Sequence, residues 1–205
     1  MLKKKIGIIN YNSGNIYSIK KSFEYLGCEV SVLENFNKLK NIKYIILPGV
    51  GSFGYCVKNL SKKFSLSIFK KIIHQNRVPM LGICVGMQML GNISEETQGV
   101  NGLGIFNFNI FRMKEKISLK LPHVGWNDIV LKKSFGDFKK NYKYEFYFDH
   151  SYIIKKNKFC IGLTHHTEKF CSIIQHKNIL ACQFHPEKSQ ENGLNFLKNF
   201  LDFYA

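Results

Sequence analysis

The stretch Pro79-Met80-Leu81-Gly82-Ile83-Cys84-Val85-Gly86-Met87-Gln88 constrains the fold of this chain more than any other. Val78 to Ile83 is a short apolar run of the kind a buried parallel strand shows, and a helical pattern begins at Met87. Cys84 therefore falls on a strand-to-helix turn. Glycines flank it at 82 and 86, leaving room for a sharp turn that exposes the middle side chain, as in a nucleophile elbow. A thiol there sits beside a helix N-terminus, whose partial positive charge favours the thiolate, the form that attacks carbonyl carbon. The bland alternative is a buried, inert cysteine. The flanking glycines and the preceding strand favour the nucleophile.

The rest of the chain supplies the sheet around this turn. Lys5 to Asn10 is a β-branched run ending at Tyr11-Asn12-Ser13-Gly14-Asn15, where Ser13 or Asn15 can cap a helix with apolar positions Ile16, Ile19, Phe23 and Leu26. Cys28 to Leu33 and Tyr44 to Leu47 read as the next strands, and Leu66 to Ile73 as an amphipathic helix. Alternation of this kind predicts an α/β fold, a mostly parallel central sheet flanked by helices. Ligands bind at the carboxyl ends of such strands, where the Tyr11 loop, the Gly49 loop and Cys84 should lie together. After Gly99 the segments Gly104 to Phe111, Trp126 to Leu131, Tyr144 to Phe148, Tyr152 to Ile154, Phe159 to Leu163 and Cys171 to Gln175 predict an antiparallel extension. Gly193 to Phe203 predicts a closing helix, and residues 1–205 read as a single domain.

Several function classes are set aside by composition and spacing. The net charge of +16 invites a nucleic-acid partner, but lysines occur singly or in pairs along most of the length and the aromatics pattern as core, so no nucleic acid is expected. No apolar run approaches the roughly 18 residues of a membrane span, and Ile6 to Ile9 is too short for a signal peptide, so a cytoplasmic chain is expected. Six cysteines without a C-x-x-C pair predict free thiols and no metal. Gly49-Val50-Gly51-Ser52-Phe53-Gly54 matches a dinucleotide fingerprint, yet no Asp or Glu occurs from Asn35 to Ser94 to hold a ribose, and this is the third strand and not the first. No cofactor is expected. What these glycines offer is free backbone N–H groups for an oxyanion hole.

A cysteine nucleophile needs a base, and seven histidines compete for the role. In Gln183-Phe184-His185-Pro186-Glu187 the proline holds His185 extended, so Glu187, two residues on, can meet its imidazole directly or by a small bend. This gives Cys84, His185 and Glu187 as a Cys-His-acid triad. His165 and His166 are adjacent, point to opposite faces of a strand, and read as structural. His74, His123 and His176 show no partner pattern.

Together, Gly82 to Gln88 and Gln183 to Glu187 resemble the class I (triad) glutamine amidotransferases. Tyr11 to Ser18, Leu47 to Gly54, Leu121-Pro122-His123-Val124-Gly125-Trp126-Asn127, Tyr147 to Tyr152 and His185-Pro186-Glu187-Lys188-Ser189 narrow the resemblance to the glutaminase subunits of imidazole glycerol phosphate synthase, over the whole chain. That resemblance implies hydrolysis of L-glutamine, with ammonia passed to a (βα)8-barrel cyclase subunit in a heterodimer of histidine biosynthesis. It implies Cys84 as nucleophile, His185 as proton carrier and Glu187 as its orienter. It further implies oxyanion donors at Val85 and in the Gly49-Val50-Gly51 strand, the latter after a peptide flip. Gln88, Glu96 and the backbone of His150, Ser151 and Tyr152 are implied to hold glutamine, and Asn15, Trp126, Tyr147 and Lys188 to face the partner. Asp149 stands where an apolar residue is usual. A paralogous subunit feeding another synthase, such as one amidating a sugar, shares these features, whereas a peptidase or a non-catalytic binding protein does not use them all.

Overall fold

The structure is a computed structural model and describes residues 3–39, 41–74, 78–117 and 119–205. The N-terminal half alternates as expected: β1 (Lys5–Ile9), α1 (Ile16–Tyr25), β2 (Glu29–Leu33), β3 (Tyr44–Leu47), α2 (Phe53–Lys63), α3 (Leu66–His74), β4 (Met80–Ile83) and the short α4 (Val85–Gln88). Strands then dominate: β5 (Ile93–Ser94), β6 (Thr97–Asn101), β7 (Ile110–Arg112), β8 (His123–Leu131), β9 (Lys143–His150), β10 (Tyr152–Ile154), β11 (Cys160–His165), β12 (Lys169–His176) and β13 (Ile179–Cys182), before α5 (Gln190–Phe203).

Among the described residues all thirteen strands belong to one sheet, whose main path runs β2-β1-β3-β4-β13-β12-β10-β7-β5-β6, with β11, β8 and β9 branching from β12. The first five strands along that path pair in parallel. Every residue of β3, β4 and β13 is buried, which is why each is a continuous apolar run without alternation. α5 packs by its aromatic positions: Phe200 meets Tyr44, and Phe196 meets Phe146 and Phe184. The Tyr44 hydroxyl also donates to the Leu201 carbonyl at 3.0 Å. Among the described residues no helix is long and apolar enough to cross a membrane.

The structure adds one element that the sequence reading did not assign and corrects one that it did. Phe53 to Lys63 forms a helix directly after the glycine-rich loop, with Phe53, Cys56, Val57 and Leu60 as its buried stripe. Gly104 to Phe111 is a strand only from Ile110. The Leu103, Gly104, Ile105 and Phe106 N–H groups instead bond the carbonyls of Met89, Gly91 and Leu90, the oxygens left without intrahelical partners just past α4.

Candidate active site

Cys84 follows β4, at the N-cap of α4, with φ +53° and ψ −113°, a backbone that a residue with a side chain adopts only under constraint. The constraint is visible on both sides. Its N–H donates to the Cys182 carbonyl at 2.8 Å, and its carbonyl accepts from the Met87 and Gln88 N–H groups as α4 begins. A Cβ on Gly86 would collide with the Leu47 carbonyl oxygen, so the glycine serves the close approach of β3 as well as the turn.

His185 reaches the thiol because β13 lies beside β4 with Cys182 in register with Ile83. Beyond Cys182 the chain bends at Gln183 and Phe184 and is extended again at His185. Phe184 turns into the core, 4.0 Å from the Phe146 ring centroid, while Gln183 and His185 turn toward Cys84. A single 3-10 turn, Pro186–Lys188, then bends Glu187 back, and its Oε1 lies 2.9 Å from His185 Nδ1 with both side chains buried. Burial, the largest single influence, pushes the His185 pKa down, but the charge and hydrogen bond of Cys84, followed by those of Glu187, outweigh it and raise it to about 10. The result is an imidazole kept protonated between the Cys84 sulfur and the Glu187 carboxylate.

Cys84 and His185 open into a cavity of about 270 Å³. That is below the roughly 300–1,000 Å³ of drug-sized sites and suits an amino acid. Val50, Gly51, Val85, Gln88, Glu96 and the segment His150 to Tyr152 line it, as do Asp149, Pro122 and Lys188. Gln88 Nε2 donates to the Tyr152 carbonyl at 3.2 Å and to Gln183 Oε1 at 3.0 Å, leaving its own carbonyl oxygen for a ligand's donor. Glu96 Oε2 accepts the Phe53 N–H at 2.7 Å, capping α2 where Ser52 makes no side-chain cap. Its other carboxylate oxygen remains to meet an ammonium group.

His123 does have a partner, against the sequence expectation. β8 and β9 place it opposite His150, and their Nδ1 and Nε2 atoms lie 3.1 Å apart. His150 Nδ1 donates to the Tyr152 carbonyl at 2.9 Å, so its Nε2 must accept from His123 Nδ1. His123 Nε2 then accepts from Asn127 at 3.0 Å. Both rings are neutral: burial and the neighbouring His166 lower His123 to about 4, and burial with His123 lowers His150 to about 3. His166 stacks on His123 and His165 is exposed; the His74 side chain lies outside the described residues.

The two oxyanion segments differ. Val85 opens α4, where first-turn N–H groups have no intrahelical acceptor. The Val50 N–H instead donates to Ser13 Oγ at 3.3 Å, and the Ser13 hydroxyl also closes on the Val50 carbonyl. Of the residues expected to face a partner, Asn15 caps α1 and borders an open groove with Val50 and Lys188. Trp126 and Tyr147 pair across β8 and β9 with ring centroids 6.2 Å apart, and the Lys188 ammonium lies 5.3 Å from the Tyr147 ring centroid. Lys188 thus borders both the cavity and the groove. Sequence reasoning gave no site role to Ser13, Gln183 or His123. For Gln183 a signal existed, since it shares the face of His185 at i−2.

Comparison with known proteins agrees with this geometry. The family described as Glutamine amidotransferase class-I matches residues 7–203. The imidazole glycerol phosphate synthase subunit HisH of Methanocaldococcus jannaschii is 44% identical over 200 residues, covering 96% of this chain and 98% of the relative. The subunit of the same name from Buchnera aphidicola subsp. Schizaphis graminum is 39% identical over 198 residues, with 96% and 98% covered. HisH 1 of Campylobacter jejuni (strain 81-176) is 36% identical over 197 residues, with 95% and 98% covered. Among solved structures, PurLQS from Thermotoga maritima superposes with a TM-score of 0.77 at 18% identity, over the full length of both chains, which speaks for the fold alone. Carrying the elbow, the buried histidine–carboxylate pair and this full-length similarity, the chain belongs to the class-I glutamine amidotransferases, among the HisH subunits of imidazole glycerol phosphate synthase.

Proposed function

We propose that the chain, acting as one glutaminase domain in the cytoplasm, hydrolyses L-glutamine and passes the ammonia to a cyclase subunit that completes imidazole glycerol phosphate synthase. The observation that carries this reading is the convergence of Cys84, His185 and Glu187 beside a cavity of about 270 Å³ bordered by Glu96 and Gln88. In this reading Glu96 holds the α-ammonium of glutamine, and the side-chain carboxamide lies against Cys84. The Cys84 sulfur attacks the carboxamide carbon, the C–N bond breaks, and His185 gives its proton to the departing nitrogen, which leaves as ammonia. A thioester remains. His185, now neutral, takes a proton from water, whose oxygen attacks the thioester carbon and expels the sulfur as glutamate forms. Glu187 keeps the ring oriented and stabilises its charged form without exchanging a proton. The Val85 N–H faces the oxyanion in both additions, and the Val50 N–H joins it once it leaves Ser13.

The test is to replace Cys84 with Ala or Ser in the complex with the cyclase subunit. Glutamine-dependent synthesis is expected to vanish while synthesis from saturating ammonium salt continues at the parent rate. Failure with ammonium as well would remove the two-subunit reading.

A further inference from the structure

Gln183 is completely buried, belongs to no catalytic role assigned above, and ends 3.6 Å from the Cys84 sulfur. Which end of its carboxamide faces the sulfur is settled by the groups behind it. The Tyr152 carbonyl can only accept, and it receives hydrogen bonds from His150 Nδ1 at 2.9 Å and Gln88 Nε2 at 3.2 Å. Gln88 must therefore present its NH2 group there, and the second N–H of that group meets Gln183 at 3.0 Å. A donor in that place requires the Gln183 oxygen opposite it, so the Gln183 NH2 group is the end that faces Cys84. Turning Gln183 over would set two NH2 groups against each other in a dry interior. Turning both amides would set the Gln88 oxygen against the Tyr152 carbonyl. Either arrangement leaves buried polar groups without hydrogen-bond partners. The sulfur is thus the acceptor at the end of a chain of donors with one permitted direction. The Asp149 carbonyl, 3.9 Å from the sulfur, lies farther away than the Gln183 nitrogen at 3.6 Å.

We propose that Gln183 is a further catalytic residue of the glutaminase, donating its carboxamide N–H to the Cys84 sulfur and stabilising the charge that the sulfur carries before attack and again on leaving the thioester. The proposal rests on Cys84 being the nucleophile of the glutaminase reading. Sulfur bears negative charge twice in that cycle. It does so before the S–C bond forms, and again when that bond breaks and its electron pair returns to sulfur. A fixed N–H serves both moments without moving. His185 gives up its proton with ammonia and regains one from water between those moments, whereas the amide N–H stays in place throughout. Gln88 becomes a positioning residue toward Gln183 in addition to its contact with substrate, since its orientation fixes which end of the Gln183 amide meets the sulfur.

The experiment measures the rate of Cys84 carboxamidomethylation by iodoacetamide against pH, following the Cys84 peptide by mass spectrometry, in parent, Gln183→Met and Gln183→Glu chains. It needs no glutamine, so it stands or falls separately from the glutaminase assignment. Both variants are expected to move the midpoint of Cys84 reactivity upward by half a pH unit or more, Gln183→Glu further because a carboxylate would face the sulfur. In the complex with the cyclase subunit, Gln183→Met is expected to lower kcat about tenfold or more with KM changed less than twofold. Gln183→Glu keeps the shape and keeps an acceptor for Gln88, so it carries the test if Gln183→Met does not fold. Gln88→Met supplies an independent readout, since losing the fixed amide direction should shift the same midpoint upward by a smaller amount. Midpoints unchanged in the folded variants would overturn the proposal, as would a kcat equal to the parent's.

Discussion

Glu187 and His185 form a buried pair, with Glu187 Oε1 2.9 Å from His185 Nδ1. In a Ser-His-Asp hydrolase, loss of the histidine costs about 10⁶ and loss of the acid about 10⁴ to 10⁵ in kcat. His185→Ala should therefore reduce glutaminase kcat more than Glu187→Gln, by a factor of roughly 50, as steady-state assays of the complex will show. Equal losses would mean that Glu187 has another task. The His123 and His150 pair makes the opposite electrostatic demand. Their native pKa values of about 4 and about 3 lie below the ordinary 6.5, so below pH 6.5 the unfolded chain binds protons that the native one refuses. Stability then falls as the pH drops from 6.5 through 4 toward 3. Urea unfolding midpoints at pH 7 and pH 4.5 should fall less steeply with acid in His123→Gln than in the parent, and parallel curves would contradict this account.

At the scale of elements, the site is made where the loops after β1, β3, β4 and β13 leave one edge of a parallel sheet. The latch between two of them is specific: the Ser13 hydroxyl lies between the N–H and the carbonyl of Val50. Since one oxyanion donor is worth roughly 100- to 1000-fold in kcat, Ser13→Ala should raise the glutaminase kcat of the isolated chain, by up to about 100-fold, with KM little changed. A kcat unchanged or lowered would place the latch elsewhere. Most of this edge was legible in sequence. β1, β3 and β4 are apolar runs that no exposed segment would tolerate, and the glycines around Cys84 mark a turn that β3 crowds. The triad pair was legible because Pro186 restricts His185. What sequence could not give was pairing. His123 opposite His150 follows from the β8–β9 register, and the Gln183 contact from the β4–β13 register. The α2 helix went unread because its stripe begins inside a glycine run that imitates a nucleotide loop. The aromatic stretch from Gly104 alternates like a strand, yet its backbone is claimed by the carbonyls just past α4.

For the molecule as a whole, the Lys188, Tyr147 and Trp126 row connects the nucleophile's cavity to the exposed rim, and that rim adjoins the groove holding Asn15 and Val50. A partner seated there touches the Ser13–Val50 contact and the mouth of the cavity together. A partner can shift the Val50 peptide only by binding one of its two orientations more tightly. The isolated chain should therefore be a poor glutaminase, and adding the cyclase subunit with its nucleotide ligand should raise kcat while leaving KM within a few-fold. Full activity in the isolated chain, or activation confined to KM, would separate docking from catalysis. The position of β13 carries a further consequence for the making of the protein. It is the last strand in the sequence, yet it fills the gap between β4 and β12 near the middle of the sheet. While a ribosome is still adding residues 179–182, the earlier parallel strands end in an unpaired, wholly apolar β4 edge, and the cysteine elbow stands without its histidine. A nascent chain interrupted there has an open strand edge prone to self-association and a Cys84 without the imidazole that supplies its proton transfers, so hydrolysis of glutamine begins only after residues 185–187 have been made and have docked beside β4.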